Sequence, residues 1–452
     1  MTSMDGMDDG MNNDNGAAIG TRARGARSPL LWVPTAYFTM ALGYTMLCSV
    51  TAIMFKNLGM DNGRAAAYSS MLILAYTIKP LFAPIVEMYR TKKFFVLCTQ
   101  FTIGLGFFGA ALAMQLPDYM AVLLPAFWAM SFIGATQDIA SDGVYVTSLD
   151  ARAQSLYCGV QSLSWNLGPI VASGALVYLS GRLHTDVFHH DARAFGPEWM
   201  QAWQVIFAIV GVITLALALW HARVMPEGAR ADPASAPASL RGAWSILADS
   251  FVTFFQKPDV WKMVAFAFLF RLSIGLLEKI GPFFMVDAAA RGGLGMSNEQ
   301  LGIVYGTWGL AAVLLGSLLG GWFVARRGLR RTLFILCCAV NIPNVTFLIM
   351  SLYLPSSVPG IAAGVIVEKF FFGFGSVGFM IYLMQQLAPG KYATTHYAFG
   401  TGLMGLCGLV TGVASGHLQE ALGYVHYFAL VMAATIPSFL ATWFAPFHQP
   451  AD

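Results

Sequence analysis

The segment Gly134-Ala-Thr-Gln-Asp-Ile-Ala-Ser-Asp-Gly-Val-Tyr145 places two carboxylates, Asp138 and Asp142, inside a stretch that is otherwise apolar enough to cross a membrane. A charge near the centre of a bilayer costs about 2.5–3.5 kcal/mol on insertion scales, so such a side chain normally faces a cavity or a partner. Positions four apart share one face of a helix. The segment therefore predicts a membrane-spanning helix whose polar face looks into a path through the protein.

The composition of the whole chain agrees with a membrane location. Of the 452 residues, 57% are hydrophobic and 11% are charged, whereas soluble domains carry about 25% charged residues. The formal net charge of +3 indicates no nucleic-acid partner. The six cysteines lie in apolar stretches without metal-ligand spacing, so we expect packing roles for them, no metal site and no cofactor.

A helical crossing needs about 20 mostly apolar residues. The predicted fold is therefore all-α and polytopic, with twelve transmembrane helices, called spans 1 to 12, at approximately 30–55, 65–88, 94–115, 119–147, 154–180, 200–222, 261–286, 300–324, 332–354, 358–387, 393–420 and 424–446.

An even number of spans puts both termini on one side of the membrane. Basic residues are concentrated in the loops after spans 2, 6 and 8, and the opposite loops hold fewer. The positive-inside rule assigns the basic loops, and with them both termini, to the cytoplasm. The first apolar run is long enough to span, so we expect it to remain as span 1 and not to be removed as a signal peptide.

A polar interruption rich in proline and alanine divides the spans six and six. The predicted organisation is a disordered cytoplasmic tail, an N-terminal bundle, a cytoplasmic linker, a C-terminal bundle and a second tail, over residues 1–29, 30–222, 223–260, 261–446 and 447–452. Apolar residues recur at helical spacing over 243–257, which indicates an amphipathic helix along the membrane surface or, alternatively, an extension of span 7.

The loops after spans 2 and 8 repeat a pattern. The first contains Glu87 before a basic cluster, and the second contains Arg330 and Arg331. Both resemble the loop signature of the major facilitator superfamily, which is a glycine, an acid and then basic residues, although Ala83 and Ala325 replace the usual glycine and acid. Two parallel six-helix halves are the architecture of that superfamily, and the resemblance implies it here.

Charged side chains recur within the spans. In span 2, Lys79 lies at the depth of Asp138 in span 4, so we expect an ion pair that is either a structural pin or part of a proton path. Asp142 lies one turn nearer the cytoplasm, where we expect an interfacial or motif contact.

The second half carries two adjacent acid and base pairs, Glu278-Lys279 in span 7 and Glu368-Lys369 in span 10, together with Arg271. In the superfamily's layout, spans 1, 4, 7 and 10 line the central cavity. The candidates for proton coupling are Glu368, Glu278 and Asp138. We place Glu368 first, with Arg271 or Lys279 as its cationic neighbour, and expect Lys279 and Lys369 to pair with acids on opposing helices.

Aromatic and amide side chains in the same region suit a large hydroxyl-rich ligand, because aromatic faces stack on sugar rings and amides form paired hydrogen bonds. Each is individually more often a packing residue. The candidates for substrate contacts are Tyr37, Tyr44, Gln137, Gln161, Trp165, Asn166, Tyr305 and Trp308. The pattern Gly373-Phe-Gly375-Ser-Val-Gly378 lies inside span 10 with no preceding strand, so it predicts close helix packing and no nucleotide site.

Two of these segments resemble a particular family. Tyr76-Thr-Ile-Lys79-Pro-Leu-Phe-Ala-Pro84 and Ala135-Thr-Gln-Asp138-Ile-Ala-Ser-Asp142-Gly are similar to the span 2 and span 4 segments of AmpG-type muropeptide permeases. The resemblance implies a monomeric bacterial inner-membrane importer that takes up GlcNAc-anhydro-muropeptide with protons. The Glu278-Lys279 and Glu368-Lys369 pairs depart from that pattern, so an oligosaccharide or siderophore importer and a non-transporting sensor remain as alternatives. An enzyme is not expected.

Overall fold

The computed structural model describes residues 28–79, 81–82, 90–149, 151–192, 194–228, 240–390 and 392–448. Every regular element in these ranges is a helix. Nine helical stretches within them are long and apolar enough to cross a membrane. The longest, Thr395–Trp443, contains two spans, because Gly423 adopts φ 68° and ψ 169° and breaks the helix. Spans 2 and 5 bring the number of crossings to the predicted twelve.

The spans have the following bounds. Spans 1, 3, 4 and 6 are Pro29–Asn57, Lys92–Ala113, Tyr119–Ser148 and Pro197–Val224. Span 2 comprises Asn62–Met71 and Ile73–Thr77, and span 5 comprises Ala151–Pro169, Ile170–Leu176, Val177–Arg182 and Leu183–Val187. Spans 7 to 10 are Val260–Val286, Asn298–Arg327, Leu329–Tyr353 and Val358–Leu387. The helices Ala393–Ala433 and Thr435–Trp443 together form spans 11 and 12. The break between the two spans is at Gly423, inside the first of these helices.

Four of the spans contain π-helical segments, in which the helix is locally wider than an α-helix. They are Met46–Val50 in span 1, Ile170–Leu176 and Leu183–Val187 in span 5, Gly302–Gly309 in span 8 and Leu383–Leu387 in span 10. Such segments are frequent at functional sites. Two of them, in spans 5 and 8, pack against each other where the two bundles meet.

The ends of the spans form two opposite faces of the molecule. The terminal face carries the start of span 1 and the end of span 12, and the far face carries the turns between spans 1 and 2 and between spans 7 and 8. The contacts between the bundles are concentrated in the far half. A Cβ at Gly306 would lie 2.1 Å from the carbonyl oxygen of Ser173 in the other bundle, and one at Gly416 would lie 2.1 Å from that of Asn62.

The linker contains a separate helix, Leu240–Phe255. Asp259 adopts a left-handed conformation just before span 7, so the linker helix is not an extension of that span. Its Phe254 is 2% exposed and packs edge-on against Phe399 of span 11. The Lys257 ammonium donates to the carbonyl oxygens of Leu387 and Pro389 at the end of span 10. The linker helix is thereby attached to the terminal ends of spans 10 and 11.

Spans 8 and 10 pack with their backbones in direct contact. A Cβ at Gly316 would lie 2.0 Å from the carbonyl oxygen of Phe370, and one at Gly373 would lie 2.1 Å from that of Val313. Small residues allow this approach between membrane helices. The glycine pattern in span 10 therefore serves helix packing, as the sequence predicts.

Adjacent glycines in span 8 provide a test of this packing. A Cβ at Gly320 would lie 2.3 Å from the Phe374 carbonyl oxygen, whereas one at Gly321 meets no atom within 4 Å. We expect Gly320→Ala to destabilise the protein by about 1–3 kcal/mol through overpacking. Gly321→Ala should leave stability unchanged or raise it. Thermal unfolding in detergent measures both, and equal behaviour of the two variants would contradict the packing described.

Candidate transport site

The ion pair that the sequence predicts between spans 2 and 4 is present. The Lys79 ammonium contacts the Asp138 carboxylate, and the two side chains are 36% and 11% exposed. The pair therefore joins two helices, and protein covers Lys79 only in part.

Asp142 lies on the same side of span 4 as Asp138, one helical turn closer to the terminal face. The Tyr37 hydroxyl of span 1 donates a 2.6 Å hydrogen bond to Asp142 Oδ1. Tyr37 is 3% exposed, and its ring packs edge-on against Tyr145. Its ring and hydroxyl are therefore both occupied by protein contacts in this structure, and the substrate contact predicted for Tyr37 is not available here.

Three aromatic rings cluster in the middle of the N-terminal bundle. Tyr44 lies 4.8 Å, centroid to centroid, from Tyr76 in a perpendicular arrangement and 6.2 Å from Trp165 of span 5. Tyr44 lies one helical turn before Cys48, whose carbonyl oxygen accepts a hydrogen bond from Lys279 of the other bundle. This cluster faces the boundary between the bundles.

In span 7, the helix is interrupted between Val260–Leu269 and Leu272–Val286, and Arg271 lies at the interruption. Its Nη2 donates to Oε2 of Glu278 at 3.2 Å, two turns along the same span. Glu278 is 38% exposed. Arg271 thus neutralises Glu278 and is not the neighbour of Glu368 that the sequence suggests.

Glu368 and Lys369 are 3% and 6% exposed. Nζ of Lys369 lies 3.4 Å from Oε2 of Glu368, and that oxygen accepts no aligned hydrogen bond within the described residues. The same ammonium lies 4.6 Å from the ring centroid of Tyr305, a favourable cation–π distance. The prediction that Lys369 pairs with an acid on an opposing helix is wrong, because the flexible Lys369 side chain reaches the adjacent Glu368 carboxylate.

The contacts of Lys279 also differ from those that the sequence predicts. Its ammonium crosses the bundle boundary and donates to the carbonyl oxygen of Cys48 at 3.3 Å and to Oγ of Ser69 at 3.0 Å. These partners are neutral oxygens of spans 1 and 2, and the carbonyl belongs to the π-helical segment of span 1. The partner is therefore not the acid that the sequence suggests.

The remaining predicted residues are dispersed. Gln137 is 2% exposed, with an amide nitrogen that has no hydrogen-bond partner among the described residues. The Asn166 amide donates to the Ser162 carbonyl of its own helix. Gln161 is half-buried, and Trp308 is 58% exposed. Arg330 lies over the Phe447 ring and Arg331 is exposed, both at the terminal face, whereas Glu87 lies outside the described residues.

Sequence reasoning missed a polar cluster at the far face. It contains Lys56, Asn62, Asp287, Gln419 and Tyr424, which come from both bundles. Each lies at the end of a span, where a polar residue is usually solvated. A sequence signal was nevertheless present, because a lysine and an aspartate stand at equivalent ends of spans 1 and 7.

Comparison with known proteins identifies the family. The family model described as Major Facilitator Superfamily matches residues 35–416. The chain belongs to the major facilitator superfamily. The superfamily and the structural neighbours are transporters, so this chain is a multi-pass membrane transporter with the major facilitator fold.

Curated relatives share about a fifth of their residues with this superfamily member. "Putative transporter AmpG 4" of Rickettsia conorii is 20% identical over 406 residues, which is 87% of this chain and 90% of the relative. "Anhydromuropeptide permease" of Escherichia coli K12 is 22% identical over 388 residues, 83% of this chain and 72% of the relative. The resemblance to AmpG-type permeases is therefore confirmed as a similarity along most of the chain.

Solved structures agree on the fold. A bacterial homologue of the human lysosomal transporter Spinster superposes with a TM-score of 0.70 at 14% identity, covering 94% of this chain and 98% of that one. A D-xylose–proton symporter gives a TM-score of 0.65 at 13% identity, covering 93% and 98%.

The pair between Lys79 and Asp138 can be tested by a double-mutant cycle. Asp138→Asn or Lys79→Gln alone leaves an unpaired charge between helices, and the double variant removes both charges. We expect a coupling free energy of about 1–3 kcal/mol between the two residues. The double variant should therefore be more stable than the sum of the two single-variant effects predicts. The exposed pair of Arg182 and Asp186 is the control, with coupling below about 1 kcal/mol. Additive effects at Lys79 and Asp138 would contradict the pairing.

Proposed function

We propose that this transporter imports a sugar-containing solute together with protons, by alternating access, across a bacterial inner membrane. The first-choice substrate is a peptidoglycan fragment, GlcNAc-anhydro-muropeptide, carried from periplasm to cytoplasm. In this proposal the terminal face is cytoplasmic, the far face is periplasmic, and the chain works as a monomer without a cofactor.

One observation carries the proposal: each bundle holds at least one candidate coupling acid within its membrane spans, and each of these acids contacts a cation of its own bundle. Asp138 contacts Lys79, Glu278 contacts Arg271 and Glu368 contacts Lys369. A coupling carboxylate needs an environment that changes between states, so that it holds a proton in one and releases it in another. Movement of one bundle against the other would change these environments.

Glu368 remains the first candidate for proton coupling. It is the most enclosed of the three acids, and Lys369 contacts it without an aligned hydrogen bond. Because the ammonium also lies over the Tyr305 ring, a local rearrangement of the π-helical segment Gly302–Gly309 that moves this ring would alter the balance between the two contacts. Such a shift would expose the carboxylate to protonation.

The choice of substrate rests on the aromatic cluster and on the names of the relatives. Tyr44, Tyr76 and Trp165 bring three aromatic rings together in the N-terminal bundle, and binding of a sugar ring uses such rings. The curated relatives include an anhydromuropeptide permease. An oligosaccharide or a siderophore would use the same kind of surface, so uptake measurements must compare these solutes directly.

The coupling role of Glu368 can be measured in reconstituted vesicles. With an inward proton gradient, labelled GlcNAc-anhydro-muropeptide should accumulate. Glu368→Gln should reduce accumulation to background while substrate exchange continues, because the neutral side chain cannot cycle a proton. Glu227→Gln, at an exposed acid on the terminal face, is the control. Unchanged accumulation by Glu368→Gln would remove this residue from the coupling role.

The same assay separates the functional alternatives. Gradient-driven accumulation of an oligosaccharide or a ferric siderophore, with none of the muropeptide, would transfer the proposal to that substrate class. Binding without accumulation of any of the three would favour the non-transporting sensor.

The aromatic cluster predicts a second effect. Trp165→Ala should raise the half-saturation concentration for uptake about tenfold, since loss of a stacking contact costs about 0.5–1.5 kcal/mol beyond the lost area. Trp443→Ala, at a 70% exposed position, is the matched control. Equal half-saturation concentrations for both variants would exclude Trp165 from substrate binding.

A further inference from the structure

A buried ion pair connects the two bundles at the far face. Nζ of Lys56, at the end of span 1, lies 2.6 Å from Oδ1 of Asp287, at the end of span 7. The two side chains are 4% and 1% exposed. Unlike the three ion pairs of the transport site, which each lie within one bundle, this pair joins residues of different bundles.

Neutral side chains from both bundles complete the surroundings of Asp287. Its Oδ2 accepts hydrogen bonds from the Asn62 amide at 3.0 Å and from the Tyr424 hydroxyl. The Asn62 amide also lies 2.7 Å from Oε1 of Gln419. Asn62 belongs to span 2 in the N-terminal bundle, and the other three belong to the C-terminal bundle. The Asp287 carboxylate therefore takes two of its three side-chain contacts, Lys56 and Asn62, from the other bundle, and these two form only when the far face is closed.

Nearby contacts show how completely the far face is closed. Asn57, next to Lys56, accepts a 2.8 Å hydrogen bond from Asn298 of span 8, and Asn298 also donates to Ser180 of span 5. Lys279 crosses in the opposite direction, from the C-terminal bundle to Cys48 and Ser69. Among these crossing contacts, the contact between Lys56 and Asp287 joins two full charges.

The energetic consequence depends on the state of the transporter. In the closed state both charges have lost their hydration, and each is compensated by the other. Separation of the bundles at this face would return both groups to water, because both lie at the ends of spans. Removal of one partner would instead leave an uncompensated buried charge in the closed state alone, and the equilibrium would shift towards opening.

We propose that Lys56 and Asp287 form the lock that holds the far face closed during transport, and that their separation is required each time this face opens. The two are positioning residues, since neither lies at the aromatic cluster. The inference rests on the proposed alternating access, but it does not depend on which solute is carried or on proton coupling.

Ser70 of span 2 provides a reporter of far-face opening. It is completely buried, and its hydroxyl has no hydrogen-bond partner among the described residues. Gly412 of span 11 lies opposite and leaves room for the side chain. Ser70→Cys therefore adds only the difference between a hydroxyl and a thiol and loses no hydrogen bond to a described residue. Its thiol becomes accessible when spans 2 and 11 separate.

The test measures labelling of Ser70→Cys by a water-soluble maleimide in purified full-length protein in lipid nanodiscs, without substrate. The chain with Ser70 intact gives the background from the native cysteines. We expect Lys56→Gln and Asp287→Asn each to increase the labelling rate at least about fivefold, because the closed state is penalised. The Lys56→Arg variant and the charge-exchanged variant, Lys56→Asp with Asp287→Lys, should return the rate to within about twofold of the parent, since both keep opposite charges.

Arg64→Gln is the matched control, because Arg64 pairs with Asp61 on the same face but within one bundle and in solvent. Thermal unfolding and size exclusion identify any variant that does not fold. Labelling rates of Lys56→Gln and Asp287→Asn equal to the parent would overturn the lock. An equal increase of the labelling rate in Arg64→Gln would also overturn it, because loss of any charge at the far face would then have the same effect. Failure of solute uptake leaves this readout unaffected, so the lock and the proposed function can fail separately.

Discussion

An ionised side chain inside a bilayer requires a counter-charge, a polar partner or water, and this requirement organises the protein. Asp138, Glu278 and Glu368 each contact a cation of their own bundle. Their pairing allows each bundle to carry charges towards the boundary without a large insertion penalty. Tyr76 of the aromatic cluster lies one turn before Lys79 in span 2, so ring faces and the charged pair with Asp138 are close together in the N-terminal bundle.

The charged groups fall into two classes with different consequences for movement. Pairs within a bundle travel with it and can persist when the bundles move. Contacts between bundles, such as Lys56 with Asp287 and Lys279 with Cys48 and Ser69, must break when the far face opens. In the proposed transport cycle, the first class maintains the site and the second holds the far face closed.

The sequence predicted the fold and part of the site. Hydrophobic length located the twelve spans, and matching depth located the contact between Lys79 and Asp138. Pairing at Glu368 could not be predicted, because it depends on how the Lys369 side chain folds back and on the ring of Tyr305 in another span. Asp287 was missed because burial at the end of a span arises only when the two bundles meet.

The π-helical segments affect how this chain can be compared with its relatives. Each wide turn accommodates an extra residue, and one residue corresponds to about 100° of helix rotation. In an ungapped alignment with a relative that lacks the wide turn of span 1, every position after Met46–Val50 would be assigned to the wrong side of the helix. Transfer of residue roles from a relative that lacks one of these wide turns therefore requires a single-residue gap inside a membrane helix.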